Sequence, residues 1–559
     1  MAGYVVSDQN ALGQIAGDRP SASVPGGYSP FNANNSFAAA KIVEAGCDLE
    51  DSNFAAPGPG TEKNILANLP AAVSAGFLDS AALDQSVRRL FGVRMRLGEF
   101  DPPSKNNYTQ LRPGDLIQSK AHVALALEAA TKAIVLLAND NKTLPLAKPS
   151  AATTVAVVGP FAEGVISGNG EYSSLYFGDY SPGPYNPAFG PNPWPGQPTA
   201  RDVTVTVAAA IKARVATGAG GRVNVAAGCA TTPASGWPPT PGVVCTPDSY
   251  SASAVGAAVA DADVVVVCLG TGNPISAEGV DRSSIALDGN QLQLLQDAVK
   301  GAPATSKIVL LLFSASGIDV SWAVDSNRVG AIVEAFYPGQ VTGTAVAQIL
   351  WGDGVSPSGR LPVTWPRSLA QCPSISNYNV SSSASTYRYD QPDPLFAFGH
   401  GLSFVNFTYA KSSLRLNTTS AKPCETVRVS VSVANTGAIE ADEIVFVWAL
   451  WSAADDAAAT ADGLGWPDRQ LVAFQRVTIA AASATTVALD VTPASRAVLK
   501  VLGGESTWLA ASGATALKLT LLVGGQQPGT PLVNPDSVVG PAVFKIPEAT
   551  EDVPLVSCG

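Results

Sequence analysis

Asp8 closes the apolar run Gly3-Tyr4-Val5-Val6-Ser7, and Glu278 sits far downstream in the loop sequence Ser276-Ala277-Glu278-Gly279-Val280-Asp281-Arg282. An acid at a strand end and an acid in a glycine-containing loop supply two carboxylates in different environments. That is the minimum equipment for cleaving a glycosidic bond: one group stays ionised, and the other stays protonated to release the leaving oxygen. Each residue alone also has a plainer reading. An Asp after a strand commonly caps a helix or turn, and a Glu-Gly in a loop is usually solvated. Asp281 and Arg282 read most simply as an ion pair on the surface or bracing the loop. The stretch Gly168-Asn169-Gly170-Glu171-Tyr172 lacks the Lys-Ser/Thr of a phosphate-binding loop, which argues against a nucleotide. Trp194, within the proline-rich segment 182–198, is either a packed loop aromatic or a ring for stacking on a sugar.

The bulk composition narrows the partners. With 559 residues, 46% hydrophobic and 14% charged, the chain can bury large cores and reads as a soluble protein of about three domains. No run approaches the roughly 18 apolar residues needed to span a bilayer, so no membrane partner is expected. Thirty-four basic against 45 acidic residues give a formal charge of −11, which argues against nucleic acid or an anionic membrane. A neutral ligand fits better. The 7 cysteines are scattered and only 2 histidines are present, so no metal site is expected. Cys229 and Cys245 bracket a proline-rich loop and could close a local disulfide. Asn-x-Ser/Thr sequons at Asn34, Asn107, Asn141, Asn379, Asn406 and Asn417 fit an extracellular or secretory compartment. The start MAGYVVSDQN has neither the basic nor the apolar region of a signal peptide, so further chain is expected upstream.

These acids need elements to position them. Residues 1–100 read as a strand over 3–7, a helix, a short strand near 45–49 and a helix over 81–97, the tail of a β/α repeat. A linker over 101–151 holds one helix near 121–130. Residues 152–404 alternate buried strands (154–158, 222–226, 263–269, 307–313, 331–335) with helices (205–215, 252–260, 291–299, 343–350). This pattern predicts a mostly parallel sheet covered on both faces, with ligands at the carboxyl ends of its strands. Glu278 follows the strand 263–269. Residues 405–559 turn all-β, with alternation in Val427-Arg428-Val429-Ser430-Val431-Ser432-Val433, a turn at Asn435-Thr436-Gly437 and later strands at 444–450, 485–491 and 517–523, an antiparallel sandwich.

Read in order, GYVVSDQNAL, LDQSVRRLFGVRMRLGEFDPP, ALEAATKAIVLLANDNKTLPL, VAVVGP, AEGVDR, FYPGQVTGTAVAQILWGDGVSPSGRLPVTWP and FAFGHGLSF resemble glycoside hydrolase family 3 over nearly the whole chain. The nearest branch is that of the β-xylosidases and arabinofuranosidases. The resemblance implies the tail of a (β/α)8 barrel, an α/β sandwich and a carboxyl-terminal fibronectin type III-like domain. It also implies an oligosaccharide substrate, no metal or organic cofactor, Asp8 as nucleophile and Glu278 as acid/base. Glu171 and Tyr172 are expected to line the entrance. Six earlier barrel strands, and the Asp, Arg and Lys-His groups that hold the sugar hydroxyls, are expected upstream of Gly3. Gln9 and Asn10 replace the Cys-Asp or Trp-Gly that commonly follow the nucleophile, which leaves β-xylosidase, β-glucosidase and α-arabinofuranosidase open. A non-catalytic chain that binds carbohydrate or protein is the alternative from a different class. The oligomeric state is not specified by the sequence.

Overall fold

The computed structural model describes residues 3–8, 11–12, 34–51, 65–165, 174–176, 203–217, 221–233, 240–272, 274–276, 280–374, 377, 386–389, 393–453, 467–502, 505–511, 517–529, 538–546 and 553–554. Two compact units divide the chain, Met1–Ile117 and Gln118–Gly559.

In the first unit, helix α1 (Asn35–Glu44) starts where the Asn34 side chain accepts the Phe37 amide, and it buries Ala38, Ala39, Ala40, Ile42 and Val43. Small side chains on one helix face allow the close packing of α2 (Leu69–Ser74). Helix α3 (Ser80–Arg96), capped by Asp79, forms where the apolar period predicts it, yet Ser86 is its one buried residue. The expected strands 3–7 and 45–49 do not form. A single parallel bridge, Val6 to Leu49, stands in their place. Val5 and Val6 are 40% and 48% exposed, so little apolar burial stabilises a longer two-stranded parallel ladder.

The second unit begins with α4 (Lys120–Ala133), from which the chain passes through one residue into β1 (Val135–Asn139). This strand lies within the stretch expected to be linker. An apolar run continuous with a helix carries no period of its own, and the β-branched pair Ile134-Val135 is the local sign of the change. Five parallel strands follow: β2 (Thr154–Val158), β3 (Arg222–Ala226), β4 (Val264–Gly270), β5 (Lys307–Phe313) and β6 (Val329–Glu334). The sheet order is β1-β6-β5-β4-β2-β3, with β1 antiparallel on the edge.

Strand periodicity divides the core. Val266, Cys268, Val309, Leu311 and Phe313 point to the face covered by α5 (Val207–Thr217) and by the helix Thr342–Trp351. Val265, Val267, Leu269, Ile308, Leu310 and Leu312 point to the face covered by α6 (Ala252–Val259) and α7 (Gln291–Gly301). Both faces are buried, so these strands are continuous in Val, Ile and Leu. The chain leaves β2 toward β3 on one side and returns to β4 on the other. The carboxyl ends of β2 and β4 therefore flank an order reversal, the place where open α/β sheets bind ligands.

Antiparallel sheets complete this unit. One is ordered β10-β9-β14-β15, from β9 (Ala441–Ala453), β10 (Gln470–Ile479), β14 (Leu517–Gly524) and β15 (Val538–Ile546). The second is β11-β8-β7, from β7 (Phe407–Leu416), β8 (Val427–Asn435) and β11 (Ser483–Val491). Alternate residues of β8 (Val427, Val429, Val431, Val433) share a core with Val445, Val447, Leu519, Leu521 and Val523 of the other sheet. A third small sheet joins β12 (Val498–Leu502), β13 (Glu505–Ala511) and β16 (Val553–Pro554).

Candidate active site

Asp8 belongs to the first unit and is exposed. The segment before it is held in place by the Ser7 amide donating to the Leu49 carbonyl at 2.9 Å, and by the Asp48 and Leu49 amides donating to Val5 at 2.8 and 3.1 Å. The Ser7 hydroxyl accepts the Asp51 amide at 3.0 Å. Asp48 is the anchor: one carboxylate oxygen accepts the Val5 amide at 3.0 Å and the other meets the Arg89 guanidinium at 2.7 Å. Burial pushes the Asp48 carboxyl upward, but the Val5 amide and Arg89 are among the groups that outweigh it and hold it below the usual carboxylate range.

In the second unit the carboxyl ends of β4, β5 and β6 are tied together by side chains. Thr271, the residue after β4, donates its amide to the Phe313 carbonyl at 2.9 Å, and its hydroxyl lies 2.8 Å from that of Tyr337. Gln291 is fully buried. Its side-chain oxygen accepts the Gly270 amide at 2.8 Å and its amide nitrogen donates to the Gly270 carbonyl at 2.9 Å. Glycine at 270 is required by packing, since a Cβ there would overlap the Phe313 carbonyl oxygen.

Glu334 ends β6 and is fully buried. It accepts the Ser314 amide and hydroxyl, both at 3.1 Å, and the Phe336 amide at 2.7 Å. Burial pushes its carboxyl up to about 8 against these three donors, and burial pushes the Tyr337 hydroxyl up to about 12. Phe336 adopts a left-handed backbone at φ 55°, unusual for a bulky residue and of the kind found where a neighbouring network fixes the chain. The sequence reading passed over Glu334. The available signal was a lone acid closing the buried run Val329-Gly330-Ala331-Ile332-Val333.

The loop after β4 is braced further along. Ile275 and Val280, on either side of residue 278, are buried. Glu278 itself lies outside the described residues, as do Glu171, Tyr172 and Trp194. Arg282 does not pair with Asp281. It donates instead to the Ser316 hydroxyl at 3.2 Å, the Gly317 carbonyl at 3.4 Å and the Ala286 carbonyl at 3.2 Å, and burial there lowers its basicity. The Asp288 carboxylate accepts the Val244 amide at 2.7 Å, and Cys245 is joined to Cys229 by a disulfide, Cα to Cα 4.9 Å. The loops following β3 and β4 thus support each other. Among the described residues no cluster of His, Cys, Asp and Glu could hold a metal ion, and no helix is long and apolar enough to cross a membrane.

Comparison with known proteins places this architecture. Residues 134–404 match the C-terminal domain of glycosyl hydrolase family 3. Beta-D-xylosidase 1 of Arabidopsis thaliana is 30% identical over 526 residues, covering 88% of this chain and 58% of the relative. Beta-xylosidase/alpha-L-arabinofuranosidase 1 of Medicago sativa subsp. varia is 30% identical over 72% of this chain and 44% of the relative. The chain spans about half the length of the curated relatives it matches. Among solved structures, a β-glucosidase of Erythrobacter marinus superposes with a TM-score of 0.70 at 26% identity, covering 98% of this chain and 64% of that one. A family 3 exo-β-xylosidase superposes with a TM-score of 0.68 at 23% identity, covering 100% and 62%, a likeness of fold. A sheet flanked on both faces by helices, a strand-order reversal and the matched segment lead to one assignment: residues 134–404 of this chain are a glycosyl hydrolase family 3 C-terminal domain.

Proposed function

We propose that the chain serves a retaining exo-β-glycosidase, most closely a β-xylosidase that removes sugars from the non-reducing ends of xylo-oligosaccharides. In the first step an Asp8 oxygen bonds to the anomeric carbon as the bond to the leaving oxygen breaks, and Glu278 gives that oxygen its proton. In the second, Glu278 takes a proton from water, whose oxygen displaces Asp8 from the anomeric carbon. Two inversions give net retention. The residues need no metal or organic cofactor for this sequence.

The observation that carries the reading is the braced loop leaving β4 beside the order reversal, inside the segment matched to the family. In this reading residues 1–100 are the tail of a (β/α)8 barrel, 101–151 a linker, 152–404 the α/β sandwich and 405–559 a fibronectin type III-like domain. Export and glycosylation fit the exposure of Asn34, Asn107, Asn141, Asn406 and Asn417, and the disulfides at Cys229–Cys245 and at Cys424. The E. marinus β-glucosidase and the Medicago relative keep β-glucosidase and α-arabinofuranosidase as alternatives within the family.

Hydrolysis of p-nitrophenyl β-xyloside, α-arabinofuranoside and β-glucoside tests the proposal. The 559-residue chain is assayed beside a form extended at its amino end to a complete barrel. Turnover by the extended form, fastest on the xyloside, is expected; no turnover of any of the three by either form rejects it.

A further inference from the structure

A cavity of about 490 Å³ opens beside the carboxyl end of β5, lined among others by Ile285, Ser316, Thr364, Gln371, Cys372 and Asn377. Its volume falls within the range of small-ligand clefts, about 300–1,000 Å³. Ile285 comes from the same loop as Glu278, and its carbonyl accepts the Asp319 amide at 2.7 Å, which fixes that wall to the segment after β5. Arg282 reaches Ser316 and Gly317 on the same rim. Gln371 closes the far side, its side-chain oxygen accepting the Arg367 amide at 2.6 Å.

The chemistry of the lining is specific. Among the described residues no acidic or basic side chain lines the cavity, while hydroxyl and amide groups alternate with the apolar surfaces of Ile285, Val363 and Pro366. A neutral polyhydroxylated ligand matches such a wall: its hydroxyls exchange hydrogen bonds with hydroxyl and amide groups, and its C–H faces lie on the apolar ones. A charged ligand would find no charged side chain in the lining, the nearby Arg282 guanidinium being committed to Ser316, Gly317 and Ala286.

We propose that this cavity is a subsite for the leaving-group side of a neutral β-linked oligosaccharide, the part of the substrate beyond the bond to be cleaved. The inference rests on the reading of the loop after β4 as the carrier of the proton donor. It assigns Ile285, Thr364 and Asn377 to recognition of chain length rather than to the chemical step.

Cys372 is a free, exposed thiol in the lining and serves as a reporter. The 559-residue chain is alkylated with iodoacetamide near pH 8.5, about the value at which an ordinary thiol ionises. Modification of Cys372 is followed by peptide mass spectrometry with and without xylotriose, with the free thiol Cys47 of the first unit as the internal reference. Xylotriose at about ten times its Kd is expected to slow Cys372 roughly tenfold and leave Cys47 unchanged. Val363→Trp, or Thr364→Ala as a milder change, is expected to remove or weaken the protection. An unchanged Cys372 rate at the highest soluble xylotriose concentration overturns the proposal, as does protection that both variants retain in full. The readout is binding, so it separates the two readings: an inactive extended enzyme with a protected Cys372 rejects the catalytic reading and upholds the subsite, and an active one with an unprotected Cys372 does the reverse.

Discussion

Arg360 and Glu443 form a buried ion pair, 2.7 Å between nitrogen and oxygen with side chains 8% and 3% exposed, where the segment after the parallel sheet meets β9. The Tyr409 hydroxyl donates to the other Glu443 oxygen at 2.8 Å. Removing one partner leaves the other charge buried and uncompensated. Arg360→Met is therefore expected to destabilise the second unit by about 3–5 kcal/mol. The double variant Arg360→Met, Glu443→Met should be more stable than the single one. Calorimetric unfolding of wild type, both single variants and the double variant checks the coupling; equal transitions for the single Arg360 variant and wild type would refute it.

Glu334 makes stability depend on pH in a definite direction. Its folded value of about 8 lies above the ordinary value of about 4.3, so the folded state binds more protons between the two. Its contribution is fully present below about pH 4.3 and is lost as pH rises through about 8. Melting temperatures measured across that window should fall for wild type and fall less for Glu334→Gln. Parallel curves for the two proteins would show that Glu334 does not titrate in this window.

Asp48 behaves in the opposite sense. Its folded value is depressed, so its contribution is present above the ordinary carboxylate value of about 3.9 and is lost as pH falls through the folded value. Arg89 is 35% exposed, and Arg89→Met is accordingly expected to cost only about 1 kcal/mol. Hydrogen exchange at the Ser7, Asp48 and Leu49 amides should quicken about fivefold, the equivalent of that energy. Unaltered exchange would mean that the Val5–Leu49 contacts hold without the ion pair.

For the proposed carboxylates the expected losses are much larger. Asp8→Asn and Glu278→Gln, each in the extended form, should lower kcat by about a thousandfold or more, as removing a group that acts in the chemical step does. For Glu278→Gln the loss should be smaller on p-nitrophenyl substrates than on xylobiose, because p-nitrophenolate departs without a proton. Full activity in either variant would reassign the role.

The legible parts of this fold are those where local pattern and burial agree. The strands 154–158, 222–226 and 307–313 appear with the bounds read from sequence: the first and last are buried apolar runs inside the covered parallel sheet, and the second, Arg222–Ala226, is an edge strand in which valines alternate with polar residues. The alternation of β8 likewise emerges as alternating burial along Val427–Asn435. β1 was hidden because only Ile134 separates it from α4. The strand at 3–7 reduces to one bridge because a short apolar run states a preference, while a ladder needs a neighbour that buries it. At the candidate site, adjacent opposite charges suggest an Asp281–Arg282 pair, but Arg282 reaches neutral acceptors distant in sequence or along its own loop, Ser316 and Ala286. Glu334 was overlooked because its partners, Ser314 and the Phe336 amide, meet it only through the pairing of β5 with β6 and the bend after β6.

The Gln291 clamp on Gly270 has a consequence for how this site can change over evolutionary time. β2 pairs with β4 only as far as Val267, so beyond that point β4 has outrun its neighbour on one side. Gln291 acts as a prosthetic strand there, returning both hydrogen bonds of the Gly270 peptide from a side chain. The sheet is thereby sealed before the loop begins. With the end of β4 satisfied from α7 rather than from the loop, exposed positions between Gly272 and Asp288 can be exchanged around the buried Ile275, Val280 and Leu287 without unpairing the strand, so the contacts this loop offers are free to drift while the scaffold beneath it stays constant.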